Sequence, residues 1–130
     1  MDWLQIHTQY PSIQLSQNEL LAEIQVQLRK DLERSACSIS FPADLFLDPS
    51  MLVAFLLSEL QENKHLDLRA LLYVIDLPES WLKEIEGSPD YFVLLTNAIL
   101  KREAMKVYIR RTYRPSFLSS ICPELSIVLF

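Results

Sequence analysis

Gly87 is the only glycine among the 130 residues of the chain. Tight β-hairpins, phosphate-binding loops and the sharp turns that display a catalytic nucleophile draw on glycine for backbone with φ > 0. A single glycine excludes the G-x-x-x-x-G-K-[ST] and G-x-G-x-x-G fingerprints and leaves no glycine-flanked nucleophilic serine. The chain is thereby steered toward helices joined by turns that use proline and aspartate. Half of its residues are hydrophobic, ample for a packed core and too many for a disordered chain. Its length suits one helical domain spanning 1–130.

Local signals mark where the helices begin. Ser16 and Glu19 form an S-x-x-E capping box, with Leu15 and Leu20 placed for a hydrophobic staple. Leu20, Leu21, Ile24, Leu28 and Leu32 then make one apolar stripe, which predicts a helix to about Arg34. The alternating stretch 38–41 has no pairing partner and reads as an extended loop. Asp48-Pro49 is a second start, with Asp48 as N-cap and Pro49 in the first turn. Residues 51–60 are apolar almost all round, which predicts a helix buried on every side. Asp67 caps a third helix over 68–75, and a short helix over 79–86 ends at Gly87 in the left-handed C′ position.

The segment 88–114 predicts a long helix with two apolar faces. Tyr91, Leu94, Leu95, Ala98, Ile99, Met105, Ile109 and Tyr113 share one; Val93, Leu100, Ala104 and Val107 share the other. A surface helix needs one such face. Two imply either a helix at the centre of a bundle or one shared with a partner. The residues after Pro115 form an apolar tail, 116–130, with Phe117 and Leu118 near its start and Glu124 as its one charge. Such a segment packs on the body or on a partner. The expected fold is all-α: a compact bundle of four main helices plus a short fifth, with the second helix and the long last helix at its centre. An irregular arm over 1–15 and the tail 115–130 are draped over it.

The net charge of −5 is unevenly spread. Residues 1–100 carry six Lys/Arg against fifteen Asp/Glu, whereas 101–130 carry six against two. An acidic body is a poor general nucleic-acid binder, although a local patch can act. Lys101, Lys106, Arg110, Arg111 and Arg114 are the candidate anion or nucleic-acid contacts; the alternative is ordinary stabilisation of a helix C-terminus by cations. Arg102 interrupts the main apolar face of the long helix and Glu59 interrupts the second helix, so the two are candidates for a partly buried ion pair. The alternative places both at the rim of the core, their heads in water.

His7 and His65 have no second His or Cys at ligand spacing, and Cys37 and Cys122 lie far apart. No metal, cofactor or catalytic residue set is expected. Two free thiols, no secretion signal and no membrane-length apolar run predict a cytoplasmic protein with no membrane contact. The function expected is a non-enzymatic protein–protein interaction module, an adaptor or small regulatory subunit. It would self-associate or bind a protein partner through Val93, Leu100, Ala104, Val107, Phe117 and Leu118. The alternative is a nucleic-acid-binding regulator that uses the basic end of the long helix.

Overall fold

The structure, a computed structural model, describes residues 2–35 and 38–112. In chain order it has a 3-10 helix (Asp2–Gln9), α1 (Gln17–Arg34), α2 (Pro49–Glu62), α3 (Leu68–Ile75), α4 (Glu79–Ile85) and α5 (Tyr91–Thr112). No strand occurs among the described residues. The all-α class is as the near-absence of glycine implies. No helix of the described residues is long and apolar enough to cross a membrane.

The helix starts follow from their caps. Ser16 Oγ accepts from the Glu19 N–H and Glu19 Oε1 accepts from the Ser16 N–H, a complete capping box. Asp48 Oδ1 accepts from the Ser50 N–H at the start of α2, and Asp67 Oδ1 from the Ala70 N–H at the start of α3. α4 is ended by Glu86, whose backbone is extended, and Gly87 takes φ 78° in the turn closed by the Ser88 N–H on the Ile85 carbonyl, a conformation that favours glycine. The last helix begins at Tyr91 rather than at Ser88, because Ser88 Oγ accepts from the Asp90 N–H and holds the chain in a turn.

One helix occupies the middle. α5 packs against the 3-10 helix, α1, α2, α3 and α4. Its buried arc is centred between the two apolar faces that the sequence suggests and takes a part of each: Leu95 and Ile99 from one, Leu100, Ala104 and Val107 from the other. Three of the six residues expected to meet a partner, Leu100, Ala104 and Val107 of the second face, are therefore fully covered within the chain. Only Val93 remains exposed. Phe117 and Leu118 lie outside the described residues, as do Arg114 and both cysteines.

Two expectations are corrected. The N-terminal arm is regular over residues 2–9 and irregular only over 10–15. It forms the 3-10 helix, which buries Trp3 and Ile6 completely and leads Tyr10 into a parallel stack on Tyr108, ring centroids 5.2 Å apart. Its apolar residues come at spacing 3, the period of a 3-10 helix, and too few turns are present for an α-helical stripe to stand out. Nor is α2 buried on every side. Leu52, Leu56 and Leu60, four residues apart, face the core, while Met51 and Ala54 face water. Part of its other flank carries Phe55, which meets Phe41 and Phe46 of the preceding loop edge-on and tilted. An apolar composition reports how much a helix is able to bury, and only its neighbours decide how much it does.

Candidate functional site

The most polar part of the core lies where α1 meets α5. Asp31 of α1 and Lys106 of α5, 75 residues apart, form an ion pair of 2.9 Å between Oδ2 and Nζ, with side chains 0 % and 2 % exposed. Asp31 Oδ1 accepts from Gln27 Nε2 at 3.1 Å. Gln27 Oε1 in turn accepts from Arg110 Nη1 at 2.7 Å. Lys106 also donates to the Val74 carbonyl of α3 at 3.4 Å. One turn before Lys106, Glu103 Oε1 lies 3.5 Å from the same ammonium nitrogen, and its side chain is wholly buried.

Each member of this cluster is placed by helical spacing. Gln27 and Asp31 follow Ile24 at +3 and +7, on the stripe that buries α1. Glu103 and Lys106 follow Ile99 at +4 and +7. The sequence signal for the cluster is thus a set of polar residues in phase with an apolar stripe. A reading that collects only the apolar members of a stripe passes over it. Neither Glu103 oxygen has a hydrogen-bond partner among the described residues. Burial, then the neighbouring Asp31 carboxylate, hold the Glu103 carboxyl well above the ordinary range for a glutamate; Lys106 opposes them without overcoming them. Nearby, burial raises the Tyr108 phenol, whose hydroxyl is likewise unpartnered.

The expected Glu59–Arg102 pair does not form. Arg102 donates from Nε to the Asp76 carbonyl at 3.1 Å and from Nη2 to the Asp76 carboxylate at 3.4 Å. Asp76 ends α3 in the left-handed conformation, φ 64°, which a short polar side chain tolerates and which turns both groups toward α5. Glu59 accepts from Asn63 Nδ2 on its own helix.

The basic end of α5 is also spoken for. Lys106 is buried and so is not an anion contact. Arg111 is bidentate to Glu23 of α1, at 3.1 Å and 2.7 Å to Oε2, and Arg110 is held by Gln27. Cations that read as a patch along one helix thus serve as cross-links between α1 and α5, because α1 presents its acids and amides opposite them. Lys101 lies 4.7 Å above the centre of the Trp81 ring, a cation–π contact from α5 to α4.

Lys101 and Trp81 belong to a groove of about 360 Å³ between α4 and α5. Ile85, Leu94 and Ala98 supply its apolar lining, and Glu84 and Asn97 its remaining polar groups. At its edge the first turn of α5 leaves two consecutive apolar residues in water, Val93 at 44 % and Leu94 at 37 % exposure. Trp81 and Glu84 were not legible as site residues, since α4 is too short to show a pattern of its own. No group of three or more His, Cys, Asp or Glu able to hold a metal ion occurs among the described residues. No family model, curated protein or solved structure matches the chain.

Proposed function

We propose that this protein is a non-enzymatic interaction module that self-associates through the groove between α4 and α5. The observation that carries the reading is the exposed Val93–Leu94 pair beside a groove lined by Trp81, Ile85 and Ala98. Apolar residues exposed singly need no explanation, but a ridge next to an apolar groove is a matched set. The groove also holds one acid and one base, Glu84 and Lys101. A two-fold axis sets each patch against its own copy, so that Glu84 of one protomer meets Lys101 of the other and neither sign is left unopposed. This is why a second copy suits the groove better than a strongly charged ligand does.

The nucleic-acid alternative has less to stand on, because Lys106 is buried and Arg110 and Arg111 are hydrogen-bonded within the chain. The reading includes a cytoplasmic setting, in which Cys37 and Cys122 stay reduced.

Light scattering across a concentration series tests the proposal. The full chain is expected to be dimeric and Leu94→Glu monomeric with an unchanged helical circular-dichroism spectrum. Glu84→Lys is expected to weaken the dimer, and the double exchange Glu84→Lys with Lys101→Glu to restore it. A wild-type chain that stays monomeric throughout, or a dimer indifferent to Leu94→Glu, overturns the reading.

A further inference from the structure

Among the described residues, the buried cluster between α1 and α5 contains two carboxyl groups, Asp31 and Glu103, and one ammonium group, Lys106. Lys106 reaches Asp31 at 2.9 Å and Glu103 at 3.5 Å. Asp31 receives hydrogen bonds on both oxygens, from Gln27 and from Lys106, as a carboxylate does. Glu103 receives none from the described residues. Arg34 approaches Asp31 Oδ1 at 4.0 Å, but its side chain is 52 % exposed, so water screens its charge. Among the described residues, the charges next nearest the cluster are engaged by other groups: Arg110 of α5 donates to Gln27, and Arg102 of α5 to Asp76 at the end of α3. The buried residues of the 3-10 helix and α2 are all apolar, α3 offers the Val74 carbonyl, and α4 contributes Ile85. A single ammonium does not fully offset two ionised carboxylates when all three side chains are buried.

We propose that Glu103 is held as the neutral acid, and that the Asp31–Lys106–Glu103 cluster is a proton-set latch between α5 and α1. With its proton, Glu103 needs no counter-charge, and Lys106 is left to Asp31. Without it, a second buried negative charge stands against Asp31 across one shared cation. The α1–α5 contact then weakens. Rising pH opens the latch.

The direction of the pH effect follows from where the proton is bound. Burial and the Asp31 charge raise Glu103 in the folded chain above the ordinary value of 4.5. In the window between that value and the folded one, the folded chain keeps a proton that the unfolded chain has released. The latch is fully closed below the window, its contribution is lost progressively through it, and no further loss follows above it. Inside the window the folded-to-unfolded ratio falls by up to about tenfold per pH unit, the most that one proton allows.

Unfolding of the full chain, followed from about pH 5 to about pH 8, is compared with that of Glu103→Gln, which keeps the shape and removes the ionisation. The wild type is expected to lose stability relative to the variant as pH rises, and the variant to be the more stable at the upper end. Amide exchange in α5, corrected for its intrinsic pH dependence, is expected to speed up with pH in the wild type more than in the variant. Parallel profiles for the two proteins overturn the proposal. If Glu103→Gln does not fold, the infrared spectrum of the wild type decides. A protonated-carboxyl C=O band in native protein at neutral pH, lost on unfolding, supports the latch, and absence of that band overturns it.

Discussion

The side-chain amide of Gln25 and the backbone of Phe46 form a two-way hydrogen bond, Nε2 donating to the Phe46 carbonyl at 2.9 Å and Oε1 accepting from the Phe46 N–H at 2.7 Å. Gln25 is fully buried on α1, so the loop before α2 is stitched to the helix as a neighbouring strand would be. Phe46 is thereby held against Phe41 and Phe55. Gln25→Ala leaves both backbone groups without their partner and is expected to cost about 2 kcal/mol in urea unfolding. A change within the scatter of surface substitutions would show that the loop is held by its phenylalanines alone.

Trp3 tests whether the N-terminal 3-10 helix is part of the core. Its side chain is completely buried, and that helix packs on α5. Trp3→Ala is expected to destabilise by about 3–5 kcal/mol, as truncation of a core aromatic does. A loosely draped arm would lose less than about 0.5 kcal/mol. Thermal unfolding separates the two.

Lys106→Met removes the one cation shared by Asp31 and Glu103 while keeping most of the apolar stem. The buried Asp31 carboxylate then loses its closest counter-charge, and a loss of about 3–5 kcal/mol is expected. Adding Asp31→Asn is expected to recover part of it, since the partner charge goes as well. A double variant no more stable than Lys106→Met would mean that the amide network through Gln27, and not charge, holds α1 to α5.

The helix caps make a graded pair. Ser16→Ala breaks the capping box of α1 and is expected to cost about 1 kcal/mol. Asp48 caps α2, and the Ser50 backbone and hydroxyl hydrogen bonds lower its pKa from the ordinary 3.8. Its stabilisation is therefore present above that value and lost as pH falls through the lower folded one. Asp48→Asn keeps an N-cap and is expected to flatten the acid limb of the stability curve. An unchanged acid limb would show that other carboxylates set it.

What was legible in the chain was local. The capping box at Ser16, the caps at Asp48 and Asp67 and the turn at Gly87 all depend on groups within a few residues of one another. Such signals survive whatever the rest of the chain does. The long last helix was legible too, apart from its start. The pairings were not. Arg102 meets Asp76 rather than Glu59 because a left-handed residue at the end of α3 presents a carbonyl and a carboxylate together, and no spacing rule announces that. Arg110 and Arg111 read as a surface patch along one helix because their partners, Gln27 and Glu23, are more than eighty residues away.

The sequence by itself determined that the chain is helical and where four of its helices begin, because propensity, capping and the scarcity of glycine act over a turn or two of backbone. Tertiary structure decided which face of each helix is inside. It covered Leu100, Ala104 and Val107 within the chain, left Val93 and Leu94 out and took Asp31, Glu103 and Lys106 in. The physical reason is that burial belongs to a pair of surfaces: a stripe on one helix has no inside until another helix lies against it, and a charge in phase with that stripe is buried or exposed by the same act.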